Sequence, residues 1–437
     1  MNRDTIYAES TPKGPGALSI IRLSGSNTLA ILQTISRRSS FSPHVQHLTH
    51  LVNSAGAFID QGMVVFHPGP YSYTGEDLAE ISCHGNPMLV SAVIDVINST
   101  KLARQAQRGE FTKRAYLEGK LSLAQAEAVD AVIRAKTPTG LEMARSLLKD
   151  DIPQQLTSIC QDVQKIITEI EASFLTDEDL SPQLFQTVIS AVLEQVSAYL
   201  DHAREASSVY DGINVTIAGL PNAGKSSLFN AIVGYPRAIV HAEAGTTRDV
   251  IREHVNIDGL NFIFHDTAGI KTTSIGPEKI GVEKTIESLG RSDLVLYVVD
   301  TCLGLQTEEI QWLRYGKKTI IVMNKIDLCP TPACDAQEFT TVSLSAKFHQ
   351  GLEKLLEAMH NEFPKDLPHI FLQRHINLLE MVQASLETCL ETIVNGLTPD
   401  VLTIDLDHAL KALQALSGTQ LSGDILDSIF SNFCIGK

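Results

Sequence analysis

Positive charge is in short supply in this sequence: 35 Lys and Arg stand against 51 Asp and Glu, a formal net charge of −16. That balance excludes a diffuse polyanion-binding surface, so any contact with a nucleic acid must be local or supplied by a partner. Cysteine is sparse and scattered, seven in 437 residues, with no Cys-x2-Cys pair. Cys329-x4-Cys334 lacks the second ligand pair that a zinc site needs. Such usage fits reduced thiols in a cytoplasmic protein and excludes a disulfide framework. Apolar runs of roughly 18 residues, the length a membrane span requires, are missing. The opening Met1-Asn-Arg-Asp-Thr-Ile-Tyr7 has no hydrophobic signal core. The terminal Cys434-Ile-Gly-Lys437 resembles a prenylation box only in its cysteine, since it lacks an aliphatic third residue and a preceding polybasic run. Neither membrane span nor lipid anchor is expected.

What is present is ordinary globular composition, 43% hydrophobic and 20% charged, in a chain long enough for about three domains. Its most informative stretch is Gly219-Leu-Pro-Asn222-Ala223-Gly224-Lys225-Ser226, a Gly-x4-Gly-Lys-Ser phosphate loop. Ile213–Ala218 before it reads as a buried strand and Leu228–Val233 after it as a helix, the context the motif requires. Glycines let backbone N–H groups turn inward around phosphates, and the helix N-terminus adds partial positive charge. Lys225 is the expected ligand of the β- and γ-phosphates, and Ser226 of Mg²⁺. Three further motifs follow in order. Asp266-Thr267-Ala268-Gly269 succeeds the apolar Phe262-Ile-Phe264, Asn324-Lys325-Ile-Asp327 succeeds Thr319–Met323, and Ser345-Ala346-Lys347 closes the set. The Asp327 carboxylate can accept from guanine N1–H and N2–H₂, where adenine offers no matching donors, so the four motifs together read as a GTP site.

The chain divides by texture. Residues 1–118 are mixed, with strands expected at Ala17–Leu23 and Gln61–Phe66, turns at Pro12–Gly16 and Pro68–Pro70, and a helix at Pro87–Ile97. Residues 119–210 turn helical, with apolar stripes Ile166, Ile167, Ile170, Phe174 and Val188, Val192, Val196, Tyr199 separated by the Asp-rich Thr176–Pro182. Residues 211–365 hold the nucleotide motifs, and 366–437 are helical again from about Gln373 to Ile429. Helices on both sides of one GTPase module suggest an α/β P-loop domain inserted in a single all-α domain, preceded by an α+β N-terminal domain.

Between the phosphate loop and Asp266 lies Ala242-Glu243-Ala244-Gly245-Thr246-Thr247-Arg248-Asp249, in which Thr247 is the candidate to complete Mg²⁺ coordination. Ile270 follows Gly269 where many regulatory GTPases carry glutamine, and a hydrophobic side chain cannot orient the attacking water. Glu278 is the best carboxylate in the following loop, with a solvated loop charge as the alternative. Neither Arg248 nor Arg252 is marked as an arginine finger. Another cation can supply that charge, since Asn222 offers a carbonyl oxygen beside the β-phosphate and the loop from His241 to Thr246 offers more.

Several blocks then point to one family. Tyr73–Glu80 with His84-Gly85, Arg108–Ala115, Lys120–Ala128, the phosphate loop, Gly245–Asp249 and Phe433–Lys437 together resemble the MnmE (TrmE) family of tRNA-modification GTPases, along essentially the whole chain. The resemblance implies that the N-terminal domain binds a tetrahydrofolate, with 5,10-methylenetetrahydrofolate the one-carbon donor, and that Arg22, Glu80, Lys120 and Lys437 fall on folate contacts. It implies a homodimer, a heterotetramer with the FAD-containing MnmG (GidA), and a tRNA substrate aminomethylated or carboxymethylaminomethylated at C5 of the wobble uridine. It also implies that K⁺ replaces an arginine finger, held by Asn222 and Thr246 with carbonyls of His241 and Glu243, and that Glu278 orients water. Nucleotide contacts are expected from Asn222 through Ser227, including Ala223, Gly224 and Ser227, from His241 through Thr247, and from Asp266 through Gly269. Asn324, Lys325, Asp327, Ser345, Ala346 and Lys347 complete the nucleotide contacts. Lys225, Asn222, Glu278 and Cys434 are the catalytic candidates, although Cys434 also reads as a small residue packing the tail. The rival reading is a ribosome-assembly or translation GTPase, which would be expected to carry a basic RNA-binding appendage.

Overall fold

The structure, a computed structural model, describes residues 4–149, 154–176, 182–236, 239–241, 252–265, 289–290, 292–306, 309–310, 313–314, 316–329, 338–364, 372–395, 399–418 and 423–437. Its helices in chain order are α1 (Thr28–Ser36), α2 (Pro87–Ser99), α3 (Glu110–Leu117), α4 (Leu123–Arg134), α5 (Pro138–Leu148) and α6 (Gln154–Thr176). They continue with α7 (Pro182–Asp211), α8 (Lys225–Val233), α9 (Leu352–Asn361), α10 (Gln373–Val394), α11 (Pro399–Ser417) and α12 (Gly423–Ser431). The strands are β1 (Thr5–Glu9), β2 (Leu18–Ser24), β3 (His47–Val52), β4 (Phe58–His67), β5 (Leu78–His84), β6 (Ala103–Gln105) and β7 (Ile213–Ala218). After them come β8 (Ile239–His241), β9 (Arg252–Ile257), β10 (Leu260–His265), β11 (Leu294–Asp300), β12 (Thr319–Asn324) and β13 (Thr340–Leu344). Two compact units emerge. One comprises Met1–Ile133, Leu147–Cys160 and Leu410–Lys437, and the other comprises Arg134–Ser146 and Gln161–Ala409.

The first unit is built on a sheet of order β3-β4-β5-β2-β1-β6. Its pairs are antiparallel except β1 with β6. Strand residues alternate between faces, so Ile21, Leu23, Val64, Phe66, Ala79 and Ile81 all turn to one side. There they are buried with Ile31, Leu32 and Ile35 of α1 and Val90, Val93 and Ile97 of α2. The same alternation places Arg22 and Glu80, directly paired across β2 and β5, on the opposite face. Helix α2 begins at Pro87, and the Asn86 side chain accepts from the Met88 N–H at 2.9 Å, a cap that fixes the start read from the sequence. A smaller cluster joins Leu123 and Ala126 to Leu426, Phe430 and Phe433, docking the C-terminal segment.

The second unit carries a sheet of order β13-β12-β11-β7-β10-β9-β8. Strands β13 to β10 run parallel, and β9 and β8 add an antiparallel edge. Strands β11 and β12 are unbroken apolar runs, almost wholly buried, as parallel strands covered on both faces must be. Among its helices, α7 packs against α10. Arg204 donates to Glu380 at 2.8 Å and Gln383 to Ser197 at 3.2 Å across that pair. Of the α7 stripe read from the sequence, Val192, Val196 and Tyr199 are buried, whereas Ile189 takes the buried position beside a half-buried Val188. In α6, Ile166, Ile167 and Ile170 are buried, and the side chain of Phe174 lies outside the described residues. Among the described residues no helix is long and apolar enough to cross a membrane.

Candidate functional site

Strands β7, β11, β12 and β13 run parallel, and the loops after β7, β12 and β13 hold the phosphate loop, the Asn324 motif and the Ser345 motif, at the strand ends where α/β sheets bind ligands. The phosphate loop leaves β7 through Gly219, whose φ is +142°, and a Cβ there would lie 2.2 Å from the Val298 carbonyl oxygen. Only glycine fits. Gly224, at φ +101°, begins α8, and its added Cβ would stand 2.2 Å from the Asn324 amide nitrogen. Helix α8 is anchored by buried Leu228, Phe229 and Ile232. Its first residue, Lys225, is buried and donates to the carbonyls of Gly219 at 2.9 Å and Leu220 at 3.0 Å. Burial pushes the ammonium below its usual lysine value. Asn222, Ser226 and Ser227 are exposed, Asn222 at φ +65°, while Ala223 is buried.

Asn324 ties three motifs together. Its amide donates to the Ala223 carbonyl at 2.9 Å and accepts from the Ala346 N–H at 3.0 Å. Lys325 takes φ +69° and pairs with Asp300 at 2.7 Å. Burial opposes the Asp300 charge, but the hydrogen bond from Lys325, the Cys302 N–H and the Lys325 charge together outweigh it and hold the carboxyl below the ordinary range. The Ser345 hydroxyl, fully buried, donates to the exposed Asp327 carboxylate at 2.6 Å. One carboxylate oxygen is thereby oriented and the other remains for a donor pair such as guanine's. Lys347 lies over the Phe348 ring at 5.1 Å.

A second constellation occupies the first unit, on the sheet face opposite α1 and α2. Arg22 donates through two nitrogens to Glu80 at 2.7 and 3.1 Å, and through a third to the Gly436 carbonyl at 3.1 Å. Its guanidinium stands 5.7 Å from the Tyr73 ring centre and 5.8 Å from that of Phe111. The tail reaches this face because Ile435 bridges to Arg108, and the Gly109 N–H donates to the Cys434 carbonyl at 3.3 Å. Gly436 adopts φ +92° against Ser10, whose hydroxyl donates to the Gly436 carbonyl at 3.2 Å. Lys437 follows. Burial first, then Arg22, lowers its pKa, with Glu80 and Cys434 opposing. Cys434 is exposed while Phe433 is buried. Lys120 is exposed near Gly75, in the loop before β5. Three of the four residues read as folate contacts therefore share one face, with Lys120 at its edge loop.

The comparisons with known proteins agree with one another. Residues 5–120 match the family profile described as GTP-binding protein TrmE N-terminus, and residues 123–434 match the MnmE helical domain. A protein named tRNA modification GTPase MnmE from Thermosipho melanesiensis is 35% identical over 448 residues, covering 99% of this chain and 100% of its own. The one from Carboxydothermus hydrogenoformans is 36% identical over 464 residues and covers 100% of both chains. The one from Thermotoga maritima is 35% identical over 453 residues, covering 99% and 100%. The chain belongs to the MnmE family of tRNA modification GTPases.

In this MnmE-family chain some expected site residues lie outside the described residues: Ala242, Glu243, Ala244, Gly245, Thr246, Thr247, Asp266, Thr267, Ala268, Gly269 and Glu278. His241 is described only as a strand residue, paired with His254. Among the described residues no group of three or more His, Cys, Asp or Glu is arranged to hold a metal ion. Sequence reading missed Asp300, the acidic residue that closes the apolar run Leu294–Val299 and pairs with Lys325. It also missed His67, which hydrogen-bonds His44 at 2.8 Å. Burial and His44 lower the His67 pKa, and Glu80 and Arg22 lie close enough to act on it with opposite signs.

Proposed function

We propose that this chain is a K⁺-activated GTPase that, with a FAD-containing partner of the MnmG (GidA) type, adds an aminomethyl or carboxymethylaminomethyl group to C5 of the wobble uridine of certain tRNAs. Family membership supports the tRNA role, because the relatives bear the name tRNA modification GTPase. One observation supports guanine-nucleotide hydrolysis most directly: Asn324 joins the phosphate loop to Ala346 while Ser345 orients Asp327, so phosphate and base contacts form one connected unit. Lys225 would neutralise phosphate charge, and Asp327 would select guanine.

The residues fit the ions the family implies. Ser226, exposed at the start of α8, would hold Mg²⁺ together with Thr247. Asn222, exposed on the phosphate loop, would hold K⁺ with Thr246 and the carbonyls of His241 and Glu243, an uncharged oxygen set suited to a monovalent cation. When bound, these ions spread the negative charge that builds up on the transferred phosphoryl group. Glu278 would orient the attacking water in place of the glutamine replaced by Ile270.

A G domain over residues 211–365, inserted in a helical domain of 119–210 and 366–437 after a folate-binding domain of 1–118, accounts for the helical-domain match running from 123 to 434. The pairing of α7 with α10 also supports that insertion. The face carrying Arg22, Glu80 and Lys437, with Lys120, suits a reduced folate: the cations match its glutamate tail and Glu80 can accept from pterin amino groups. A homodimer, bound to two copies of the partner, would be the working assembly.

Steady-state hydrolysis tests the reading. Turnover should be markedly faster in KCl than in NaCl at matched ionic strength, the difference should vanish in Asn222→Ala, and ATP should be a poor substrate. Equal rates for GTP and ATP would overturn the base assignment, and equal rates in the two salts the cation assignment.

A further inference from the structure

Two cysteines outside the proposed machinery stand together at its edge. Strand β11 runs into a turn closed by the Leu303 and Gly304 N–H groups on the Asp300 carbonyl, both at 3.0 Å. Strand β12 runs into a turn closed by the Leu328 and Cys329 N–H groups on the Lys325 carbonyl, at 2.9 and 3.3 Å. The strands are parallel neighbours with Asp300 opposite Asn324, so the turns lie side by side. They are tied by Thr301 N–H to the Asn324 carbonyl at 2.9 Å and by the Lys325–Asp300 pair at 2.7 Å. Cys302 occupies the first turn and Cys329 the second, and the two thiols lie close enough to influence each other's ionisation. Neither is in a disulfide, and Cys302 is exposed to reagents while Cys329 is half-buried. Asp327, the proposed guanine acceptor, belongs to the same turn as Cys329.

We propose that Cys302 and Cys329 form a reversible disulfide that weakens guanine-nucleotide binding at the adjoining base site. The inference rests on the nucleotide reading above. The oxidant is a low-molecular-weight disulfide. One protein thiolate attacks it, forming a mixed disulfide and releasing one small thiolate, and the second protein thiolate then displaces the other. The protein S–S bond forms, the small disulfide bond breaks, and the two thiol protons pass to the released thiolates, so two protein thiols are oxidised as one disulfide is reduced to two small thiols. A disulfide requires its Cβ atoms about 3.8 Å apart and sulfurs about 2.05 Å apart. Closure therefore draws the Lys325–Cys329 turn toward the end of β11, and Asp327, held by Ser345, is carried out of its reduced position. In a reducing compartment such a pair is transient and responsive rather than structural.

The full-length protein, reduced or treated with oxidised glutathione, is alkylated and digested for mass spectrometry, and its affinity for a fluorescent GDP is measured in parallel. The expected result is a cross-linked peptide pair containing Cys302 and Cys329. Affinity should fall about tenfold, the scale of one charge-assisted hydrogen bond. Dithiothreitol should restore the affinity, and the fall should be absent in Cys302→Ser and in Cys329→Ser. Absence of that cross-link, pairing of either residue with another cysteine such as Cys334 instead, or unchanged affinity once the pair is cross-linked would overturn the inference. If the reduced protein binds no guanine nucleotide, it is the base-site reading that fails, a result distinct from these.

Discussion

Asp327 is a surface carboxylate with a fixed orientation. The buried Ser345 hydroxyl donates to one of its oxygens at 2.6 Å. Asp327→Asn should retain the fold but present an amide to the guanine edge, weakening GTP by about 2 kcal/mol, the cost of a mismatched polar pair; titration with a fluorescent GDP measures it. Affinity equal to that of the unsubstituted protein would remove Asp327 from the base site. Arg22 is held from four sides by Glu80, the Gly436 carbonyl and the rings of Tyr73 and Phe111. Because lysine cannot reproduce that planar fork, Arg22→Lys should lose 5-formyltetrahydrofolate binding in calorimetry nearly as fully as Arg22→Ala. Full retention by the lysine variant would show that only a charge is needed there. At this scale the strands leading into the phosphate loop and the Asn324 motif were readable, since each motif directly follows an apolar run, β7 and β12. The Asp300–Lys325 pair and the tail's approach to Arg22 were not, since they join residues distant in sequence without any local pattern.

At the scale of single elements, α3 depends on charges buried inside it. Glu110 and Arg114 are both buried, and Arg114 bonds Glu110, Glu76 and the Asp4 carboxylate while Arg104 holds Glu110 from the other side. Burial opposes the Glu110 charge, but Arg104, the Gln107 N–H and Arg114 outweigh it and hold its pKa down to about 2. A carboxyl depressed on folding stabilises the native state above its unfolded pKa, and that contribution disappears as pH falls toward about 2, an effect of about 3 kcal/mol. Chemical denaturation should therefore show stability falling steeply below about pH 4.5, with a flatter profile in Glu110→Gln. Identical acid profiles would contradict the assigned role. Periodicity revealed β7 to the residue, β12 to within one, and the start of α2. It did not reveal α3, β5 or β1, because α3 buries charge and β5 shows a polar face to the Arg22 constellation, and hydrophobic spacing registers neither. The α7 stripe shifted from Val188 to Ile189 for a related reason: adjacent apolar residues leave the buried face ambiguous until packing selects one.

For the whole molecule, one acidic chain carries both the candidate guanine-nucleotide unit and the candidate folate face. Self-association should accompany nucleotide hydrolysis. Sedimentation of the protein with GTP and a phosphoryl-transfer analogue should give a more compact dimer in KCl than in NaCl, and salt-independent behaviour would count against cation-driven pairing. With a net charge of −16, the chain should also bind free tRNA weakly by itself and gain affinity when its partner is present. The most direct test of the central claim is nucleoside analysis of tRNA from cells in which this gene has been deleted. C5-aminomethylated or carboxymethylaminomethylated uridine at the wobble position should be lost and should return when the intact chain is restored, but not when Asp327→Asn is supplied. An unchanged wobble-uridine profile in the deletion strain would contradict the account.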